Sequence, residues 1–430
     1  MLDLLTEHIG RADETPRDVL NYVTSRTHKL GAYRGGTSGY DDEAQAFAAA
    51  HFHSCGIPTR PSQVMIFAGG AKGAFAAFFA ALMTRRDHDQ LHHAGGVMLA
   101  PAGYYQSLRL IPALFGGSID VVPHLTGTSV RAWLYSTAGH PHRCIYVPLV
   151  NNFSGEVLTT PRARAIARTV LRYNARHPRT PVYVLADDVY VDSYLDDVQG
   201  HPIGSITGED LQNPRLGAMS DWTLSVVTAS KTFALPTSRI SFATTTNPRL
   251  LQALAHYRTV LAQGRVPQVT ELTAAAALCL TPPSWVADWN RRYRRRLDDL
   301  SSRLDEINAV AGFPALTIGR PQGGWYLPLR INPKLMPGAT SSMDAFSVLL
   351  HAARVALLPG ELFGYRDYAN GYVLRGTLAV SPDDLARFTA ALKATVVKLI
   401  GPDGPEQVEL AKRRARQVAD VDAILASCTY

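Results

Sequence analysis

A run of β-branched residues that stops at a lysine constrains this chain more than any other stretch. Thr223–Thr228 reads as a buried strand, and it leads through Ala229 and Ser230 into Lys231. Apolar Phe233, Ala234 and Leu235 follow. Arg239 comes eight residues after the lysine, just before a second strand-like run over 240–245. In open α/β sheets, ligands collect outside the carboxyl ends of the strands, so Lys231 is expected at the mouth of a site. A lysine kept partly dry has a lowered pKa and becomes a nucleophilic amine. Hydroxyls beside a fixed guanidinium form a phosphate clamp. Together they suit a phosphorylated aldehyde. The plainer alternative is a surface lysine and a structural arginine after a strand.

Pyridoxal phosphate is the obvious aldehyde of that kind. Composition is compatible with such an enzyme and argues against several other classes. A chain of 430 residues is too long for one compact core, so two lobes are expected. An apolar share of 46% is ordinary for a globular protein, and no run of eighteen apolar residues suggests a membrane helix. Residues 1–7 lack a basic segment followed by an apolar one, which argues against secretion. Cys55, Cys144, Cys279 and Cys428 are widely spaced and have no metal-ligand pattern, so they read as reduced thiols in a cytoplasmic protein. The net charge is +7, but the sequence shows neither a concentrated basic patch nor a nucleic-acid reader motif, so no nucleic-acid partner is expected.

Other stretches supply the rest of a site. The ten residues 31–40 hold four glycines and form a loop that contains Tyr33. A strand over 64–67 runs into Gly69-Gly70-Ala71-Lys72-Gly73, which opens an apolar helix. The free amides and positive dipole end of that helix make a ready anion site. A strand over 95–99 precedes Pro101-Ala102-Gly103-Tyr104-Tyr105. A strand over 144–150, a helix over 161–176 and a strand over 182–186 form one βαβ unit, the building block of a parallel sheet. Asn152 and Asp187-Asp188-Val189-Tyr190 stand at its carboxyl ends. Residues 192–213 read as a long loop, either a lid or a surface excursion. The helix over 284–310 carries Arg291, Arg292, Arg294, Arg295 and Arg296, answered by Asp298, Asp299, Asp305 and Glu306, which suits a solvated face. Arg375, in a late strand, is either a carboxylate fork or half of a structural ion pair. The tail 401–430, helical from about 405, either packs on the dimer or is mobile.

Thr228-Ala229-Ser230-Lys231…Arg239 resembles the Ser-x-Ser-Lys…Arg signature of fold-type I pyridoxal-phosphate enzymes, the aspartate aminotransferase superfamily. The resemblance covers about 15–400, with motifs in the family's order. It departs at Thr237 and Ser241, where the family usually has glycine, and at Phe153, where it has proline. The resemblance implies an α/β fold: a large lobe with a mostly parallel sheet of seven-stranded type, flanked by helices, and a small α+β lobe from both chain ends. It divides the chain at 1–60 (small lobe), 61–290 (large cofactor lobe), 291–400 (small lobe) and 401–430 (tail). It implies a Schiff base on Lys231 and phosphate contacts from the amides of Ala71 and Lys72, from Thr228 and Arg239, and from Tyr33 of a second subunit in a homodimer. Asp187 would face the ring nitrogen, Tyr190 and Asn152 the 3′-oxygen, and Tyr104 rather than Tyr105 would stack on the ring. Arg375 would take the α-carboxylate of a small amino-acid substrate. The expected activity is an aminotransferase on an L-amino acid. The alternative is a biosynthetic enzyme that uses the same carbanion for γ-elimination, replacement or ring closure, as aminocyclopropane-carboxylate synthases do with S-adenosylmethionine.

Overall fold

The computed structural model describes residues 2–3, 16–25, 42–87, 90–195, 197–262, 266–366 and 370–417. The chain divides into two compact units: 1–11, 152–156 and 288–430 form the smaller, and 12–151 and 157–287 the larger. Tyr33 lies outside the described residues.

The chain opens with β1 (Leu2–Asp3) of the smaller unit. The larger unit follows with α1 (Arg17–Thr24), α2 (Asp42–Ser54), β2 (Val64–Ala68), α3 (Ala71–Met83) and a hairpin, β3 (Thr84–Asp87) and β4 (Gln90–His93). Next come β5 (Gly96–Pro101), β6 (Gly117–Val122), α4 (Gly127–Ser136), β7 (Arg143–Pro148), α5 (Thr160–Arg176) and β8 (Tyr183–Asp187). Strands β9 (Thr223–Thr228) and β10 (Ile240–Thr244) and helices α6 (Pro248–Ala262) and α7 (Gln268–Leu280) complete it. Seven strands form one sheet in the order β2-β10-β9-β8-β7-β5-β6. Its pairings are parallel except for β10, which runs antiparallel to both of its neighbours.

Successive residues of a strand face opposite sides of a sheet. On one side Met98, Ala100, Cys144, Tyr146, Leu185, Leu224 and Val226 pack with Phe75, Phe78 and Phe79 of α3 and Leu254 of α6. On the other, Val97, Leu99, Ile145, Val147, Val184 and Ala186 pack with Trp133 of α4 and Ile166 and Val170 of α5. Both faces are covered, so the strands read as continuous apolar runs rather than alternating ones.

Two expectations change. Among the described residues, 16–25 and 42–60 group with the larger unit, where 1–60 was expected in the small lobe: Ala44, Ala48 and Phe52 of α2 pack against Val227, Phe242 and the alanine run 274–277 of α7. The loop 192–213 is neither a lid nor a surface excursion. Ile203, Ile206 and Leu211 are buried in the same cluster as Val191 and Met219. A Cβ on Gly204 would lie 2.5 Å from Ser225 Oγ, so the segment presses directly on β9.

In the smaller unit, α8 (Pro283–Ala311, whose first turns fall in the larger unit) is followed by β11 (Leu316–Ile318), β12 (Tyr326–Ile331), α9 (Ser342–Val348), β13 (Val355–Ala356), β14 (Leu358–Pro359), β15 (Tyr372–Thr377), α10 (Pro382–Ile400) and α11 (Gly404–Gln417). Strands β11-β12-β15-β14 form an antiparallel sheet, and β1 pairs in parallel with β13. Several arginines of α8 pair along their own helix, Arg292 with Asp288 at 2.8 Å and Arg303 with Asp299 at 2.9 Å, while Arg296 Nη1 donates to Leu378 O at 3.0 Å. Helix α11 packs through buried Val408 and Ala411, and Lys412 Nζ donates to Gly338 O at 2.6 Å, so 404–417 is a docked helix.

Phe78 is fully buried in the core that seats α3. Phe78→Ala should destabilise the larger unit by about 3–5 kcal/mol in urea unfolding, whereas exposed Tyr135→Ala should stay within about 0.5 kcal/mol. Equal effects from the two variants would contradict this packing.

Candidate active site

The period-two rule decides which of two adjacent carboxylates faces which side of the sheet. Leu185 of β8 points toward α3, so Asp187, two residues on, points the same way. Tyr146 of β7 lies on that face, and its hydroxyl donates to Asp187 Oδ2 at 2.5 Å. The other oxygen, Oδ1, is buried and has no hydrogen-bond partner among the described residues. Burial pushes the Asp187 carboxyl up to about 6, against the pull of the Tyr146 hydroxyl, the Val189 amide and the Lys231 charge. Asp188 faces the opposite side toward Ser225, and burial with the neighbouring Asp187 charge pushes it up to about 8. Tyr146 itself is pushed well above the usual phenol range by burial and by Asp187, so it stays a donor. The sequence reading missed Tyr146 because a tyrosine inside an apolar strand looks like core.

The phosphate-type loop is held by backbone geometry. Gly69 and Gly70 both have positive φ, +83° and +69°, at the start of α3. Gly70 N donates to Arg239 O at 2.8 Å, and Arg239 Nη2 returns to Gly69 O at 3.2 Å. Arg239 is itself left-handed at φ 49°. A Cβ on Gly70 would sit 3.1 Å from Arg239 Nη2, so only glycine leaves the guanidinium its place. Beyond this turn the first amides of α3, those of Ala71 and Lys72, lie at the positive end of the helix. The Lys72 ammonium sits over the Tyr105 ring, 5.9 Å from its centre.

Of the two departures from glycine, Ser241 has a physical explanation. Ser241 lies on β10 between Phe67 of β2 and Thr228 of β9. Its hydroxyl donates to Gly70 O at 3.0 Å and ties the loop to the sheet. At the end of β9, Thr228 Oγ1 accepts from Ser230 N at 3.2 Å, which turns the chain into Lys231. The Lys231 Nζ atom is buried although the residue is only half-buried. The turn is closed by Leu235 N donating to Ala229 O at 3.0 Å.

Gly103 has φ +88°, and a Cβ there would lie 2.1 Å from Asn151 Oδ1. Asn151 Nδ2 donates to Ala102 O at 2.8 Å. The Asn151 side chain therefore fills the place of a side chain at 103. Tyr104 is buried in the cluster with Phe75, and the Tyr105 ring meets Phe75 edge-on at 6.5 Å. Asn151 is a second residue that the sequence reading passed over. Tyr190 is also buried in the larger unit.

In the smaller unit, Arg375 and Asn152 come together. Arg375 Nη1 donates to Asn152 O at 3.3 Å and to its Oδ1 at 3.4 Å. The guanidinium lies 3.8 Å from the Tyr326 ring centre and 4.7 Å from that of Phe363. It is buried, and among the described residues it pairs with no carboxylate. Phe153, in place of the family's proline, stacks near Phe363 and Tyr365 at 4.9 and 4.6 Å. Gly155 (φ +68°) accepts from the amides of Gln322 and Gly323 at 2.9 Å each, and a Cβ there would meet Pro321 at 2.4 Å.

Residues 23–392 match the family model described as "Aminotransferase class I and II". Solved structures of similar fold include an aspartate aminotransferase from Rhizobium meliloti (22% identity, covering 89% of this chain and 88% of that one, TM-score 0.69). An aromatic aminotransferase from Pyrococcus horikoshii has 22% identity, coverage of 91% and 95%, and a TM-score of 0.71. The N-succinyldiaminopimelate aminotransferase from Mycobacterium tuberculosis has 21% identity, coverage of 90% and 92%, and a TM-score of 0.70. No curated protein sequence matches.

The carboxyl of Asp188 contributes a pH dependence of stability, to which Asp187, pushed up to about 6, adds in the same direction up to that pH. Unfolded, it ionises near its ordinary value of 3.8; folded, near 8. Within that window the unfolded chain has released a proton that the folded one keeps. Stability should therefore fall as pH rises from about 4 to about 8, then level off. Asp188→Asn should flatten the profile of urea midpoints over the same window. A variant profile as steep as that of the parent would show that another group is responsible.

Proposed function

The chain belongs to the class I and II aminotransferases, and from that premise we propose that it is a pyridoxal-phosphate-dependent aminotransferase acting on an L-amino acid. The observation that carries this reading is Asp187: a buried carboxylate with one oxygen held by Tyr146 and the other without a hydrogen-bond partner among the described residues. Such an oxygen matches a protonated ring nitrogen, because an adjacent anion raises that nitrogen's pKa. The glycine turn before α3, closed by Arg239, fits a phosphate ester. When bound, the cofactor supplies an aldehyde that condenses with amines and a ring that takes up an electron pair.

Each side chain then has a task. Lys231 Nζ would hold the cofactor through its aldehyde and would serve as the base for the substrate α-proton. Asp187 Oδ1 would keep the ring nitrogen protonated. The Ala71 and Lys72 amides, Thr228 and Arg239 would bind the phosphate. Tyr190 and Asn152 would orient the 3′-oxygen, and Tyr104 would cover the ring. Arg375, buried between aromatic rings with no carboxylate partner among the described residues, receives the α-carboxylate as a planar fork. Two copies of the chain would form the working unit.

The test is a half-reaction. Amino donor alone should convert the bound cofactor to its amine form, seen by absorbance, and a keto acid should reverse it. Failure with every common amino acid, together with retention of the aldehyde form after turnover of S-adenosylmethionine, would favour an elimination or ring-closing enzyme instead. Arg375 generates a separate expectation. Arg375→Lys should keep full cofactor occupancy yet raise the KM for the amino acid at least about tenfold, since a single ammonium cannot reproduce a bidentate fork. An unchanged KM would remove Arg375 from substrate binding.

A further inference from the structure

Helices α4 and α5 bound a groove of about 540 Å³ on the larger unit, on the sheet face opposite α3. Its walls carry Arg131 from α4 and Arg168, Arg172 and Arg176 from α5. None of the four forms an ion pair or a hydrogen bond with a described residue, and neither helix contains an acidic residue. Four unanswered guanidinium groups around one concavity concentrate positive potential there.

A buried cation reinforces them. Arg143 is 2% exposed. Its Nη2 donates to Tyr173 Oη at 2.6 Å and to Thr180 O at 3.1 Å, and its Nη1 to Leu134 O at 3.2 Å. All three acceptors are uncharged, and Arg143 Nε has no hydrogen-bond partner among the described residues. Tyr173 and Leu134 themselves line the groove, so an uncompensated charge lies directly behind it. Charge kept from water without a counterion is costly, and an anion in the groove would offset that cost.

The shape limits the occupant. Arg168, Arg172 and Arg176 recur every four residues, so their row spans about 12 Å of helix. The row stops at both ends: Arg164, one step earlier, lies 3.8 Å from Asp210, and α5 ends at Arg176. A polymer would need a longer track. A chain of a few phosphates fits, and exposed Tyr135 on the rim offers a ring to a base. We propose that this groove is a binding site for a polyphosphate-bearing small molecule, a nucleoside triphosphate or the free inorganic chain, held by guanidinium forks on phosphate oxygens. The proposal does not depend on the reaction assigned above.

The experiment titrates protein saturated with pyridoxal phosphate against sodium tripolyphosphate, ATP and a short single-stranded oligonucleotide by calorimetry, at two salt concentrations. One saturable site for tripolyphosphate or ATP, weakened by salt, is expected. The double variant Arg168→Gln/Arg172→Gln should bind at least about tenfold more weakly, because two charge-assisted contacts are lost. Arg162→Gln, on the same helix but outside the groove, should bind normally, and circular dichroism and melting temperature should match in all variants. Tighter binding of ATP than of tripolyphosphate, lost in Tyr135→Ala, identifies the nucleotide; equal binding identifies the inorganic chain. The proposal is overturned if neither phosphate compound saturates a site, if the double variant binds as the parent does, or if only the oligonucleotide binds.

Discussion

Two aspartates end one buried strand, and the pleat sends them to opposite faces of the sheet. Much of the candidate site follows from that constraint. Asp187 shares its face with Tyr146, with the phenylalanines of α3 and with the helix start that follows two glycines. Asp188 is turned toward Ser225 and the segment that packs beneath β9. A shift of one residue in the pairing of β8 with β7 and β9 would exchange the two roles. The parallel register, Val147 opposite Ala186 and Ala186 opposite Ser225, is what prevents the exchange. Tyr146 then holds one oxygen of Asp187 and leaves the other for an outside partner, which turns a buried acid into a directed one.

The reversed strand next in the sheet does comparable work for the phosphate-type loop. Because β10 runs antiparallel between β2 and β9, its first residues lie beside the last residues of both. Arg239, immediately before β10, is thereby brought against Gly69 and Gly70, immediately after β2. The left-handed backbone at Arg239 and the hydroxyl of Ser241 complete a closed loop of contacts. The family's glycines at these positions are one way to build that turn. Here a serine that bonds to the loop serves in place of one of them.

What was legible beforehand follows from the kind of signal each residue carries. The lysine and arginine after β-branched runs, the glycine turn before an apolar helix and the acids at a strand end are local patterns, and single-strand periodicity is enough to expose them. Tyr146 was not legible, since its role depends on a neighbouring strand and its sequence context is that of a core residue. The register at Gly103 depends on Asn151, nearly fifty residues away. The segment 192–213 looked like a lid because its polar and glycine residues dominate its composition. Its few apolar residues, Ile203, Ile206 and Leu211, decide its placement by burial. Phe52 and the alanines of α2 likewise show that the helix is buried but do not say against what.

Arginines show how far the same side chain can diverge once packing is known. Several of those of α8 meet aspartates three or four residues away on their own helix, and their charge is largely answered at the surface. Exposed pairs of this kind contribute little to stability, and they lower the field around the helix. Arg375 instead lies between two rings and against an asparagine, where the aromatic faces accept its charge without neutralising it. Arg143 is enclosed by carbonyl oxygens and a phenol, again without a carboxylate. On α5 the arginines have no acid on their own helix or on α4, and Arg164 reaches Asp210. A net charge of +7 is therefore a poor guide to where the chain is positive. The balance is struck element by element, and it is left open where a side chain faces a place that an anion can enter.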